Sequence, residues 1–169
     1  YRMIRKNLAI FTAGRSDFGI MENIIAKSEK DKRFNLYLVI GSAHKSKTFG
    51  RTINETKKLK VKNKIQFKFD YQGSKKKDIL NYFQKTLHEA NNFFSKRRID
   101  ASIILGDRYE MLAISIASLN YNVPIMHFGG GSETLGSLDN VYSYSISRMA
   151  SVHFLETNHH KNNLKKIGI

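Results

Sequence analysis

Apolar and polar positions along the chain switch between short, nearly continuous apolar runs and longer stretches with one apolar face. "NLAIFT" (7–12) is the first run, and the loop "AGRSDFG" (13–19) follows it with Ser16 or Asp17 as candidate N-caps. A helical pattern then carries Ile20, Ile24 and Ile25 on one face. "FNLYLVIG" (34–41) is apolar enough for a strand buried on both faces of a parallel sheet. A polar loop, "SAHKSKTFGRT" (42–52), leads to a helix start, and "KIQFKFD" (64–70) alternates like a strand with one wetter face.

The spacing from 78 to 98 predicts a long helix with Ile79, Leu80, Phe83, Leu87, Phe93 and Phe94 toward the core. "ASIILGD" (101–107) is a fourth strand ending in a Gly-Asp turn. "YEMLAISIASLN" (109–120) is an apolar helix whose Leu112, Ile116 and Leu119 are assigned to the core, and "VPIMHF" (123–128) is a fifth strand. A helix over 139–150, a strand "SVHFLET" (151–157) and a short helix over 161–167 complete the chain. Strands separated by helices define an α/β domain with a parallel sheet and helices on both faces. Without repeat or linker, 1–169 reads as one domain.

Such sheets bind ligands outside the carboxyl ends of their strands. Those ends read "TAGRSD", "GSAHKSK", "GDRYE" and "HFGGGSET". Arg15, His44, Lys45, Lys47, Asp107, Arg108, Glu110, His127 and a glycine loop would therefore gather on one rim.

Composition narrows this picture. With 169 residues and 41% apolar content the chain can build a core, and no apolar run approaches the ~20 residues of a membrane span. The start, "YRMIRKN", has charge without a following apolar core, so neither an export signal nor a membrane partner is expected and the protein is expected in the cytoplasm. Cysteine is absent, which excludes disulfides and Cys-based zinc sites, and His159–His160 has no acidic companion, so no metal is expected. The formal charge of +15 invites a nucleic-acid reading. Its lysine clumps at 57–64, 75–77 and 96–98 are not interleaved with aromatics, which favours solvated faces and no nucleic-acid partner. An anionic small substrate would profit from the same field.

The rim residues allow more than one chemistry. "TAGRSDFG" is neither a P-loop nor a GxGxxG fingerprint, but Arg15 offers a planar fork for phosphate or carboxylate, or a local ion pair. Asp107 and Glu110 lie about one helical turn apart, as dipole-stabilised caps or as acid/base partners. His127 ends an apolar strand, where a histidine is either a hydrogen-bonded structural residue or a ligand contact. Three glycines in a row, Gly129 to Gly131, are expensive to order, so something must need their bare backbone.

Five stretches in consistent order resemble the UDP-N-acetylglucosamine 2-epimerase family, particularly its hydrolysing branch that feeds sialic- and legionaminic-acid-type sugar synthesis. "TAGRSDFG" is similar to T-G-[ST]-R-[AS]-[DE]-[YF]-G, and "GSAHKSKTFGRTINE" to G-x-H-x-x-x-x-[FY]-G-x-T-x-x-E. "ILGDRYEMLAISIAS" resembles the L-G-D-R-x-E helix start, and "SISRMASVHFLET" resembles S-I-[TS]-[KR]-[ML]-[AS]-x-[LV]-H-F. "VPIMHFGGG", with its later Thr, Gly and Asp139, resembles I-P-[IL]-x-H-x-H-G-G-E-x-T-x-G-x-x-D.

The resemblance implies a Rossmann-like fold, here the amino-terminal half of a GT-B-type two-domain enzyme whose carboxy-terminal UDP-binding domain is absent from this chain. It implies removal of the carbon-2 proton of a UDP-sugar and expulsion of UDP, then rehydration of a glycal-like intermediate, without a cofactor. It further implies a dimer or tetramer of the whole protein. Carried over, Asp107 and Asp139 are the catalytic acids, while Arg15, His44, Arg108, Glu110, His127, Gly130 and Gly131 contact substrate. The chain departs where the family reads H-G-G-E: Gly129 replaces the histidine and Ser132 the carboxylate. Glu133 stands one position later, and the family's Arg-His pair reads Ser143-Tyr144. A hydroxyl is no carboxylate base near neutral pH. Ser132 and Glu133 thus both stand as candidates for the vacated role, beside two other readings: a GT-B glycosyltransferase half and a catalytically impaired nucleotide-sugar-binding module.

Overall fold

The computed structural model describes residues 4–46, 52–70, 75–134 and 136–169. Six parallel strands form one sheet in the order β3-β2-β1-β4-β5-β6. They are β1 (Lys6–Thr12), β2 (Phe34–Ile40), β3 (Asn63–Gln66), β4 (Ala101–Leu105), β5 (Ile125–Phe128) and β6 (Val152–Phe154). The helices between them are α1 (Arg15–Lys30), α2 (Ile53–Lys58), α3 (Lys76–Ser95), α4 (Tyr109–Asn120), α5 (Asp139–Met149) and α6 (Asn158–Lys166). The parallel α/β architecture follows the sequence pattern.

Alternation along β1 divides the core. Leu8 and Ile10 join Leu36, Leu38, Ile40 and Ile103 beneath Phe18, Met21 and Ile25 of α1. Ala9 and Phe11 face the other side, against Ala90, Phe93 and Phe94 of α3, Met111 and Ile114 of α4 and Ile146 of α5. Successive strand side chains point to opposite faces, so a run apolar at every position must be covered on both.

Helix faces are rotated from their expected placement. On α1, Met21 and Ile25 are fully buried, Phe18 nearly so, and Ile20 is 64% exposed. On α3, Tyr82, Thr86, Ala90, Phe93 and Phe94 are buried, Ile79, Phe83 and Leu87 only partly so, and Leu80 is 58% exposed. Counting large aliphatics misplaces the stripe, because small and hydroxyl residues take the positions nearest the sheet. Thr86 satisfies its hydroxyl on the Tyr82 carbonyl at 2.8 Å, which lets it stand there. On α4 the buried face holds Met111, Ala113, Ile114 and Ala117, whereas Leu119 is half exposed and Leu112 and Ile116 are intermediate.

Element ends also differ. Neither Ser16 nor Asp17 caps α1: Gly14 is the N-cap, and Asp17 lies within the first turn. The expected strand over 64–70 pairs only through Asn63–Gln66, and that over 151–157 only through Val152–Phe154. The last helix begins at Asn158, where the Thr157 hydroxyl caps it by accepting from the His160 amide at 3.2 Å.

Backbone bonds continue the ladder past the strands and level their carboxyl ends. Gly41 N donates to Thr12 O (2.7 Å), Gly106 N to Phe128 O (3.0 Å) and Gly129 N to Phe154 O (3.0 Å). Connections leave β1 toward β2 on one side and β4 toward β5 on the other, so the strand order reverses between β1 and β4. A crevice is expected there.

Candidate functional site

The β1–α1 loop turns on one carboxylate. Asp17, buried in the first turn of α1, accepts from Ala13 N at 2.5 Å and Gly14 N at 2.8 Å. This latch satisfies amides that the turn would otherwise leave unpaired. Arg15, the first residue of α1, is exposed.

Behind the loop, His44 is fully buried. Its Nε2 lies 2.9 Å from Thr12 Oγ1 and its Nδ1 2.7 Å from Thr52 Oγ1. Burial pushes its pKa down, and a neutral ring serves both hydroxyls, donating to one and accepting from the other. His44, a substrate-contact candidate in the sequence, ties the second loop to β1. Lys45 is exposed, while Lys47 and the rest of 47–51 lie outside the described residues.

Tyr82 is a residue that sequence reasoning missed. Its hydroxyl meets Ser42 Oγ and Ala43 N, both at 3.1 Å, and supports the turn after β2 from across the sheet. Burial raises its pKa to about 12. The Tyr82, Thr86, Ala90, Phe93 spacing was the available signal.

After β4 the two carboxylates diverge. Glu110 is 1% exposed, and its Oε1 accepts from Arg108 Nε at 2.9 Å and Nη2 at 2.8 Å. Burial pushes its pKa up, and the Arg108 charge opposes that rise. Its Oε2 has no hydrogen-bond partner among the described residues. Asp107 is half-buried, and its pKa is raised first by burial and next by the negative charge of Asp139. Asp107 and Asp139 therefore share one electrostatic environment.

The glycine loop resolves into three different needs. Gly129 (φ +79°) has open space where a Cβ would stand, so only its backbone conformation calls for glycine. A Cβ on Gly130 would meet Ser147 Oγ at 2.6 Å and His127 Nδ1 at 3.0 Å. On Gly131 (φ +76°) it would stand 2.3 Å from the His160 carbonyl oxygen, and Gly131 O accepts from Asn163 Nδ2 at 3.0 Å. Gly130 and Gly131, expected against substrate, make room for α5 and α6.

His127 is fully buried, with Nε2 2.8 Å from Gly106 O and Nδ1 3.0 Å from Ser147 Oγ. The carbonyl can only accept, so Nε2 carries the proton and Nδ1 accepts from the serine. Burial lowers its pKa to about 4. In this arrangement it is a structural strut between the end of β4 and α5. His153, also depressed by burial, lies opposite it on β6.

Beyond the glycines, α5 holds the loop. Thr134 N donates to Asn140 Oδ1 (2.9 Å), and Asn140 Nδ2 donates back to Thr134 O (2.7 Å). The exposed Glu133 carboxylate accepts from the Tyr144 hydroxyl. Tyr144 shares a cavity wall with Val141 and Arg148, whereas Ser143, Ile146 and Ser147 form the buried face of α5. Glu133 is thus engaged on the outer side of α5, and Asp139 is the carboxylate that acts on Asp107. Ser132 is half-buried.

A cavity of about 470 Å³ opens at the strand-order reversal, lined by Ala13, Gly14, Arg15, Ser16, Ala43, Arg108 and Glu110. Arg15, Arg108 and Glu110 therefore come together as the sequence suggested. A larger groove of about 640 Å³ runs between β6 and α6, past His153 and Lys161. Among the described residues, no cluster of three His, Asp or Glu side chains could hold a metal, and no helix is long and apolar enough to cross a membrane.

A six-stranded parallel sheet with a polar crevice at its strand-order reversal defines a Rossmann-like α/β domain. Residues 26–169 match the sequence model of the UDP-N-acetylglucosamine 2-epimerase family, and the chain belongs to that family. It is 29% identical over 167 residues to the GDP/UDP-N,N'-diacetylbacillosamine 2-epimerase (hydrolyzing) of Campylobacter jejuni, covering 98% of this chain and 43% of that protein. It is also 29% identical over 174 residues to the UDP-N,N'-diacetylbacillosamine 2-epimerase (hydrolyzing) of Legionella pneumophila, covering 98% and 44%. The fold superposes on a UDP-N-acetylglucosamine 2-epimerase from Methanocaldococcus jannaschii, solved with UDP-GlcNAc and UDP, with a TM-score of 0.80 at 19% identity, covering 96% of this chain and 44% of that one. The chain thus spans less than half the length of these relatives.

Proposed function

We propose that this domain is the amino-terminal half of a hydrolysing UDP-N-acetylglucosamine-type 2-epimerase, acting on UDP-N-acetylglucosamine or a diacetamido relative. The observation that carries the reading is the Asp107–Asp139 pair at the carboxyl rim, with Arg15 and Arg108 at the neighbouring crevice. A carboxyl group whose affinity for protons is raised by burial and by a neighbouring negative charge, as at Asp107, is suited to proton transfer. That is the equipment for removing a carbon-bound proton and assisting a departing diphosphate. On this reading a second domain supplies the uridine contacts across a GT-B cleft, and the whole protein is a cytoplasmic homo-oligomer.

Ser132 and Glu133 both stand where the family pattern differs. With Glu133 engaged by Tyr144, proton transfer falls to Asp107 and Asp139, and Ser132 contributes at most a hydrogen bond. A catalytically impaired binding module is the second reading, favoured by the hydroxyl at 132. Incubation of the protein, expressed from its whole gene, with UDP-N-acetylglucosamine in deuterated water separates the two. Release of UDP with deuterium at carbon 2 is expected; binding without turnover would leave only the module. Asp107→Asn should lower turnover by about 10²–10⁴-fold with the unfolding transition intact, and undiminished activity would remove Asp107 from the chemistry.

A further inference from the structure

Asp139 opens α5, a place where a carboxylate is ordinarily drawn to the helix itself, by the dipole and by the amides of the first turn. A neighbour takes over part of that work. Ser137 Oγ accepts from Asp139 N at 3.1 Å and donates to Asp139 Oδ2 at 3.1 Å. One hydroxyl thus ties both the amide and the carboxylate of the same residue, which fixes that side chain against its own backbone. Leu138, the N-cap between them, has no side-chain hydrogen bond to offer the helix. Ser137 is itself placed by the loop, where its amide donates to Thr134 O at 3.1 Å.

The chemistry of the holder matters. Glu110 is held by the Arg108 guanidinium, which cancels most of its charge locally. Asp139 is held by a neutral hydroxyl, and among the described residues it has no ion pair. Its negative charge therefore stays available to its surroundings. Asp107 feels it: burial first, and the Asp139 charge next, raise the affinity of Asp107 for its proton, while the Arg108 charge opposes them. We propose that Ser137 is a positioning residue for proton transfer, whose hydroxyl fixes the Asp139 carboxylate relative to Asp107 without neutralising it. The proposal rests on the 2-epimerase reading above, in which Asp107 and Asp139 carry the chemistry. Ser137 falls at a position that the family pattern leaves open, between its Gly and its Asp.

The competing role for Ser137 is that of a plain helix cap. Loss of the hydroxyl would lower stability in either case, so the test reads the titration of Asp107 instead. Ser137→Ala removes the hydroxyl and leaves the Asp139 carboxylate free to turn away. Its charge then acts on Asp107 more weakly, and Asp107 should give up its proton at lower pH. The carboxyl carbon resonance of Asp107, followed against pH in the protein expressed from its whole gene, should show that lowered midpoint. With UDP-N-acetylglucosamine as substrate, kcat should fall by roughly tenfold while KM changes by less than about twofold. The limb of the pH–kcat profile that belongs to Asp107 should move in the same direction as the resonance. Ser137→Thr keeps a hydroxyl on the β-carbon and should restore both the midpoint and kcat. A midpoint that stays in place in Ser137→Ala, an undiminished kcat, or a failure of threonine to restore either would reduce Ser137 to a cap and overturn the proposal. In those outcomes the unaltered protein still turns over and the 2-epimerase reading stands. Absence of turnover by the unaltered protein would overturn that reading and the proposal with it.

Discussion

The β1–α1 loop and the β5–α5 loop reach the same rim by opposite means. The first closes on itself: Asp17 gathers the amides of Ala13 and Gly14 only a few residues away. The second is held from outside, by His160 and Asn163 of α6 against Gly131, by Asn140 against Thr134 and by Tyr144 against Glu133. The loop that follows the family pattern is latched locally, and the loop that departs from it depends on distant elements. A departure in the second loop therefore changes what α5 and α6 must do, and Glu133 illustrates this. It sits beside the vacated carboxylate position in sequence, yet its side chain serves α5.

The largest test of this contrast is Gly131→Ala. Left-handed backbone strain and a Cβ 2.3 Å from the His160 carbonyl act together, and a loss of about 3–4 kcal/mol in urea unfolding is expected. Gly129→Ala meets no neighbour and should cost only about 1 kcal/mol from its positive φ. Equal costs at the two positions would mean that α6 does not press on the loop.

Acidification should follow closely. His127 binds a proton below 6.5 in the unfolded chain but only below about 4 in the fold. Between those values the unfolded state carries more protons, so stability rises with pH through the window and is lost as pH falls. The span corresponds to about 3 kcal/mol at most. His127→Gln should flatten the slope between pH 4 and 6.5, and an unchanged slope would show that other groups set it. Asp17→Ala, which opens the first loop, should cost about 2 kcal/mol by loss of two charge-assisted bonds. An effect below 0.5 kcal/mol, by the same order-of-magnitude reasoning, would mean that water replaces the latch.

Much of the molecule was legible in its residues because the signals are local. Continuous apolar runs over 7–12 and 34–41 require strands covered on both faces, and "LGDRYE" places acids at a strand-to-helix turn. The helix faces were less legible. Thr86 and Ala90 are weak hydrophobic signals, yet they are buried on the same helix face as Tyr82 and Phe93. The candidate site divides the same way. Arg15, Arg108 and Glu110 meet at a crevice that strand order alone implies, while His44 and His127 are polar by name and buried in fact. Only their partners, Thr12, Thr52, Ser147 and the Gly106 carbonyl, make that burial tolerable, and none of those is adjacent in sequence.

By itself, the sequence determined the α/β alternation, the family and the identity of the rim residues, since each depends on periodicity or short motifs. Tertiary structure decided which of them face the crevice. It sent two histidines into the core, turned Gly130 and Gly131 toward α5 and α6, drew Glu133 to Tyr144 and left one oxygen of Glu110 unanswered. The physical reason is that burial and hydrogen-bond satisfaction are settled by neighbours tens of residues apart. Spacing along the chain reports which groups can reach a rim, and only packing reports which still have something to offer there.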